Sequence, residues 1–146
     1  FRMSGQLTHW AERYIGLPWV NGAQGPDEFD CWGLLVHVYR EHFGVLLPDY
    51  PIDPGSRVEV IGAVEVALFR GDAQLLAKPE HGCGVLMGVN SQKTHHVGIW
   101  LDVDGGKILH ADKPRVRFMS VGEIRSVGYR HISFYRYHTW PSSANT

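Results

Sequence analysis

The residue in this 146-residue chain best suited to act as a nucleophile is Cys31, in the stretch FDCWGLLVHVYREHFG over residues 29–44. Leu34, Leu35, Val38 and Tyr39 follow it at helical spacing, and Gly44 stands where a left-handed glycine commonly closes a helix. Asp30 is a good N-cap, so Cys31 falls in the first turn. There, unpaired backbone N–H groups and the positive end of the helix dipole favour a thiolate over a thiol. The same position suits a small cysteine that merely packs. A nucleophile further needs a base within hydrogen-bond reach and a group to orient that base.

Histidine is the natural base, and the chain has nine. His96 opens the run HVGIWL, where strand alternation puts His96, Gly98 and Trp100 on one face and Val97, Ile99 and Leu101 on the other. His95 would then point to the opposite face, and geometry alone leaves the choice between the two histidines open. His110 ends KILH, across the turn signal DVDGG. With that turn near residues 104 and 105, positions whose numbers sum to roughly 209 face each other. His110 then lies opposite residue 99, and a bulge would bring it closer to His96. A second imidazole there can hold the first in the correct tautomer, in place of an aspartate.

Other residues read more plainly. His9, His37, His42, His131 and His138 read as ordinary part-exposed histidines, and Cys83, in the apolar CGVLMGV, as core. His81, Cys83, His95, His96 and His110 could together offer nitrogen and sulfur ligands to zinc. None falls in a tight ligand spacing such as CxxC or HExxH, so no metal is expected. The acids neighbour turns or solvated helix faces and form no convincing pair for acid–base hydrolysis.

Positioning a Cys–His–His set takes a helix and a sheet. SGQLTHWAERYIGLP (residues 4–18) reads as a short helix with Leu7, Trp10, Ala11, Tyr14 and Ile15 inward. WVNGAQGPDEF is a loop, the Cys31 helix follows, and the three prolines of VLLPDYPIDP force an extended connection. SRVEVIGAVEVALFRG reads as a third helix. From residue 83 onward, CGVLMGV, HHVGIWLDV, KILHA, RVRFMS and YRHISFYRYH are short β-branched or aromatic runs between turn residues. Helices first and strands afterwards give an α+β domain, with the helices on one side of an antiparallel sheet.

Composition sets the bounds. Apolar residues make up 44% and charged residues 20%, an ordinary globular balance for one domain over residues 1–146. A formal charge of -1 gives no electrostatic case for nucleic acid. Two cysteines make no disulfide framework and read as thiols. No apolar run approaches the roughly 18 residues of a membrane span, so no insertion is expected. No signal peptide is visible: Phe1 and Arg2 precede Met3 and read as an addition ahead of a start, while PSSANT (residues 141–146) is a polar tail.

The ordered set YIGLPWVNGAQGPDEFDCWGLL, HHVGIWL and KILHA resembles the NlpC/P60 family of papain-like cysteine peptidases. That family reads close to Y-x-G-x-P-Y-x-W-G-G, then D-C-S-G-L, then H-V-G-I-Y and a final polar residue. More narrowly, DCWGLLVHVYREHFGVLLPDY is similar to the branch found in tail proteins of phages and phage-like particles. The resemblance runs from Tyr14 to Ala111 and implies a papain-like α+β fold, N-terminal helices packed on a C-terminal antiparallel sheet.

Carried over by position, it implies Cys31 as nucleophile, His96 as general base and His110 as the residue that orients it. Trp19 stands where the family has a tyrosine, Trp32 replaces the serine after the cysteine, and Asn21 replaces a common tryptophan. Trp19, Asp30 and Trp32 are the implied substrate contacts. The implied reaction is hydrolysis of peptidoglycan stem peptides, commonly at the bond after γ-D-glutamate, with no metal or organic cofactor. The tail branch implies a virion-tail protein, made in the host cytoplasm and acting in the periplasm or cell wall, with tail-tip or baseplate proteins as partners. A related papain-like amidase or acyltransferase, or a tail-tip structural protein with little activity, are the other readings.

Overall fold

Period-two patterning in the C-terminal half builds a sheet. In the computed structural model, which describes residues 9–47, 57–91 and 94–138, the strands are β1 (Ala73–Leu76), β2 (Gly84–Gly88), β3 (Thr94–Leu101), β4 (Lys107–Asp112), β5 (Arg115–Met119) and β6 (His131–Tyr137). They pair antiparallel in the order β1-β6-β2-β3-β4-β5. Five of the six are the runs expected from sequence. β1 is not: only Ala73 of its four residues is buried, so AQLL carries little pattern, and pairing along β6 makes it a strand.

Helix α1 (Cys31–Val38) packs on β3 and β4, and α2 (Arg57–Arg70) on β3 and β1. Leu34, Leu35 and Val38 of α1 and Val64 and Ala67 of α2 join Val97, Ile99, Leu101, Leu109 and Ala111 in one apolar layer. The opposite face carries a second layer: Cys83, Val85, Met87, Trp100, Ile108 and Met119. Ile124 of a short helix, α3 (Val121–Ser126), belongs to that layer, and α3 packs on β5. The helices are therefore not all on one side of the sheet, as the sequence suggested. The signal for α3 was present: Ser120 and Glu123 form a capping box, the S-x-x-E pattern of a helix start.

The N-terminal helix expected over residues 4–18 is, among the described residues, a 3-10 turn at Trp10–Arg13 capped by His9. Ala11 and Tyr14 are buried as expected, but Ile15 is 46% exposed, because the chain leaves the helical path at Tyr14 and turns at Gly16. Leu7, most of VLLPDYPIDP and the polar tail lie outside the described residues. The helix expected over SRVEVIGAVEVALFRG is α2. After Val38, α1 runs into a π-helical turn, Tyr39–Phe43, closed by Gly44 at φ 67°. The DVDGG hairpin pairs Leu101 with Lys107 and Ile99 with Leu109, numbers summing to 208. Its chain reversal runs through positive φ at Asp104, Gly105 and Gly106.

The loop ahead of α1 is fastened under the helix. The Asp30 amide donates to the Ala23 carbonyl at 2.9 Å, and a Cβ on Gly33 would sit 2.1 Å from that same carbonyl oxygen. Backbone cannot yield there as a side chain can, so Gly33→Ala is expected to destabilise the fold by about 3 kcal/mol or more. Gly62, inside α2, has no atom within 4 Å of such a Cβ. Gly62→Ala should be neutral or stabilising by about 0.5–1 kcal/mol. Thermal unfolding of the two variants checks both, and equal melting temperatures would refute the close approach at Gly33.

Candidate active site

Cys31 is where the sequence reading put it, at the first position of α1 behind Asp30. The Asp30 side chain accepts from the Gly33 amide at 2.7 Å and from the Gly22 amide at 3.0 Å. One carboxylate thus caps the helix and ties the preceding loop to it. Burial raises its pKa, against the pull of the N–H groups of Gly33, Gly22 and Trp32. Expected as a substrate contact, Asp30 is buried with both oxygens committed to the chain's own backbone. Trp32 is half-buried on the α1-side layer, and Trp19 is half-buried with the Lys113 ammonium 4.9 Å from its ring centroid.

The two histidines meet. His96 Nε2 and His110 Nδ1 are 2.8 Å apart, and both residues are buried. Continuing the β3–β4 register by one step sets His110 opposite Gly98, so His96 is its diagonal neighbour on the same face. Gly98, opposite His110, is closely packed on that face. A Cβ there would press on Ile108, the Leu109 carbonyl and Met87 at 2.9–3.0 Å. Helix α1, which begins at Cys31, packs on the two strands that carry these histidines.

Two further residues build the imidazole pair, and sequence reading missed both. Met119 Sδ lies 3.1 Å from His110 Nε2. The Tyr129 ring stacks on His96, centroids 5.1 Å apart and planes 12° apart, and its hydroxyl donates to Asp112. Neither position carries a periodicity or motif; each is set by the β4–β5 pairing and by the turn after α3. His95 departs from strict alternation. The register slips between Met87 and Gly88, which pair with His96 and Thr94, leaving His95 as a bulged extra residue. Its ring therefore also reaches Tyr129, at 5.7 Å, instead of facing away.

The zinc set does not assemble. His81 Nδ1 accepts from the Asp102 amide at 2.9 Å, and among the described residues no three His, Cys, Asp or Glu side chains are grouped to share an ion. Cys83 is core, its thiol pushed up to about 12 by burial. His9, His37 and His42 sit in an aromatic group around Tyr14, where the Trp10 and His42 rings stack at 3.8 Å. The cleft bordered by Arg13, Tyr14, His37, Glu41 and His42 contains none of the Cys–His–His set.

Burial, with a lesser push from Arg117 and against Asp112, lowers the His110 pKa from 6.5 to about 4. The folded protein thus keeps His110 neutral, while the unfolded chain protonates it below 6.5. Its contribution to stability is complete above pH 6.5 and is lost as the pH falls towards 4, by about 1.4 kcal/mol per unit. His110→Gln, which does not titrate, should flatten that acid limb in urea unfolding followed against pH; an unchanged slope would refute the neutral buried imidazole.

The pattern of the NlpC/P60 family matches residues 16–133. Over 39 residues the chain is 49% identical to a gamma-DL-glutamyl hydrolase of Bacillus subtilis (strain 168), covering 26% of this chain and 9% of that protein. Over 90 residues it is 30% identical to tail tip assembly protein K of Escherichia phage N15, covering 56% of this chain and 34% of that protein. The chain thus spans about a third of one curated relative it matches and about a tenth of the other. Among solved structures it is similar to NlpC2 from Trichomonas vaginalis, with TM-score 0.59, 20% identity and coverage of 90% and 45% of the two chains. It is also similar to the NlpC/p60 domain of the peptidoglycan hydrolase SagA, with TM-score 0.53, 24% identity and coverage of 85% and 91%. The capped cysteine helix, the buried pair of strand histidines, the α+β fold and the matched pattern agree: this chain belongs to the NlpC/P60 family.

Proposed function

We propose that this protein is a cysteine peptidase that hydrolyses peptidoglycan stem peptides, with Cys31 as nucleophile, His96 as general base and His110 as its orienting partner. The observation that carries the reading is the buried hydrogen bond between His96 Nε2 and His110 Nδ1. With Nε2 turned to His110, Nδ1 is the nitrogen through which His96 would take the thiol proton. The thiolate attacks the amide carbonyl, and the Cys31 backbone N–H at the helix start serves the developing oxyanion. The imidazolium protonates the leaving amine, and water then releases the acid from the thioester. Tyr129, stacked flat on His96, favours the imidazolium through its ring face.

Cleavage at the bond after γ-D-glutamate is the finer reading, supported by the short similarity to a gamma-DL-glutamyl hydrolase. Trp19 and Trp32, half-buried aromatics flanking the cysteine segment, are the proposed substrate contacts. Asp30 is withdrawn from that role, since it holds the loop. The similarity to a tail tip assembly protein supports a place in a virion tail, beside other tail-tip proteins, where the enzyme would open the cell wall. The rival of a tail-tip protein without activity makes no use of a buried imidazole pair.

Digestion of purified peptidoglycan, with fragments identified by mass, is the direct test. Cys31→Ala should release no fragments, whereas Cys83→Ala should retain most activity. A thiol probe should label Cys31 faster than Cys83 at neutral pH. Lysis by Cys31→Ala at the wild-type rate would end the peptidase reading.

The histidines should rank in order. His96→Ala is expected to lower kcat by about 10³-fold or more, and His110→Ala by an intermediate factor of about 10 to 10⁴ with its fold kept. His110→Asn or His110→Gln should recover part of that loss, because an amide oxygen still accepts from the His96 N–H. His95→Ala should lose far less; the opposite order would make His95 the base. Extensive chelation should change neither activity nor melting temperature, and stoichiometric zinc in the native protein would overturn the thiol mechanism.

A further inference from the structure

The bond between the two histidines says which atoms are close but not which nitrogen holds the proton. Two arrangements satisfy it. In one, His96 Nε2–H donates to His110 Nδ1, and His96 Nδ1 carries a lone pair. In the other, His110 Nδ1–H donates to His96 Nε2, and His96 carries its proton on Nδ1. Only the first lets Nδ1 of His96 act as a base, so the choice decides whether the site works.

The far side of His110 separates them. Its Nε2 lies 3.1 Å from Met119 Sδ, with both residues buried in the layer that holds Ile108 and Ile124. A thioether has no hydrogen to give and only weakly accepts. With the proton on His110 Nε2, an N–H points at the sulfur lone pairs. With the proton on Nδ1, two lone pairs face each other in an apolar setting and a buried acceptor lacks a donor. We propose that Met119 is a positioning residue: by accepting from His110 Nε2–H it fixes His110 as an acceptor at Nδ1, and through it fixes His96 as the Nε2–H tautomer with a basic Nδ1. The inference rests on the peptidase reading above and assigns it a residue that no motif marks.

The arrangement serves both stages of the reaction. When His96 takes the thiol proton at Nδ1 it becomes an imidazolium that still donates from Nε2 to the same His110 lone pair. No second proton has to move. A neutral His110 is required throughout, and its burial favours that form; of the charged side chains acting on it, Asp112 and Arg117 pull in opposite directions. Tyr129 meets the His110 ring edge-on, at 88°, and does not compete for its nitrogens.

Imidazole nitrogen chemical shifts in the full chain at neutral pH read the tautomers directly. The expected result is protonated Nε2 and bare Nδ1 on His110, and the same pattern on His96. Met119→Leu, which keeps apolar bulk but removes the acceptor, should shift both residues towards a tautomer mixture and lower kcat about tenfold with KM unchanged. Met119→Gln, whose amide oxygen can accept at similar reach, should restore most of both. Met87→Leu, in the same buried layer, should leave the shifts as in the wild type, separating a packing effect from the acceptor. A wild-type spectrum with His110 protonated at Nδ1 would overturn the inference by itself, even if the variants failed to fold. If Cys31→Ala is inactive while Met119→Leu keeps wild-type shifts and kcat, only the positioning role falls. If Cys31→Ala remains active, the peptidase reading falls, and the shifts still decide what Met119 does.

Discussion

The structure around the site depends on one hydrogen bond, His96 Nε2 to His110 Nδ1, made inside an otherwise apolar layer. Two imidazoles out of water need partners, because a buried acceptor or donor without one costs roughly 1–3 kcal/mol. Each supplies the other's need, and Met119 takes the nitrogen left over on His110. The bond also constrains the backbone. It needs strands β3 and β4 in the register that makes the histidines diagonal, and position 98, between them in sequence, must be glycine, since a Cβ would press on Ile108, Met87 and the Leu109 carbonyl. Tightly turned, the DVDGG hairpin supplies that register.

A second constraint acts at the helix. Asp30 does with one carboxylate what two residues often share: it caps α1 through Gly33 and binds the preceding loop through Gly22. The loop returns the contact through the Ala23 carbonyl, which receives the Asp30 amide and leaves Gly33 no room for a side chain. Cys31 is thereby held at a fixed point on the first turn instead of on a fraying end. Further along, the Tyr39 hydroxyl donates to the Gly82 carbonyl at 2.5 Å and secures the other end of the helix to the chain just before β2. The proposed nucleophile on a helix tied at both ends, and the proposed base on a sheet, sit on rigid parts instead of on loops.

Most of the architecture was legible locally. Alternation marked five strands and gave the correct face for His96, Gly98 and Trp100, because period two is a property of the backbone and survives tertiary packing. The hairpin register came within one of the observed pairing, since turn residues act over a few positions. Where local signals were weak, the reading failed. Strand β1 exists because β6 offers it an edge, the N-terminal helix is, among the described residues, a 3-10 turn, and α3 escaped notice despite its capping box.

What the sequence determined by itself was the placing of Cys31, His96 and His110, the proposed set, on a capped helix and two neighbouring strands. That placing is a consequence of residue type and spacing, together with a family pattern. Tertiary structure alone decided the rest. A bulge turned His95 towards Tyr129 against the alternation rule; the Asp30 carboxylate was bonded to the backbone of Gly22 and Gly33; β5 and the turn after α3 brought Met119 and Tyr129 to the imidazoles. Neither Met119 nor Tyr129 differs in sequence from an ordinary core residue. Their places beside the imidazoles come from pairing and packing: Met119 reaches His110 across the β4–β5 hairpin, and Tyr129 stacks on His96 from the turn after α3.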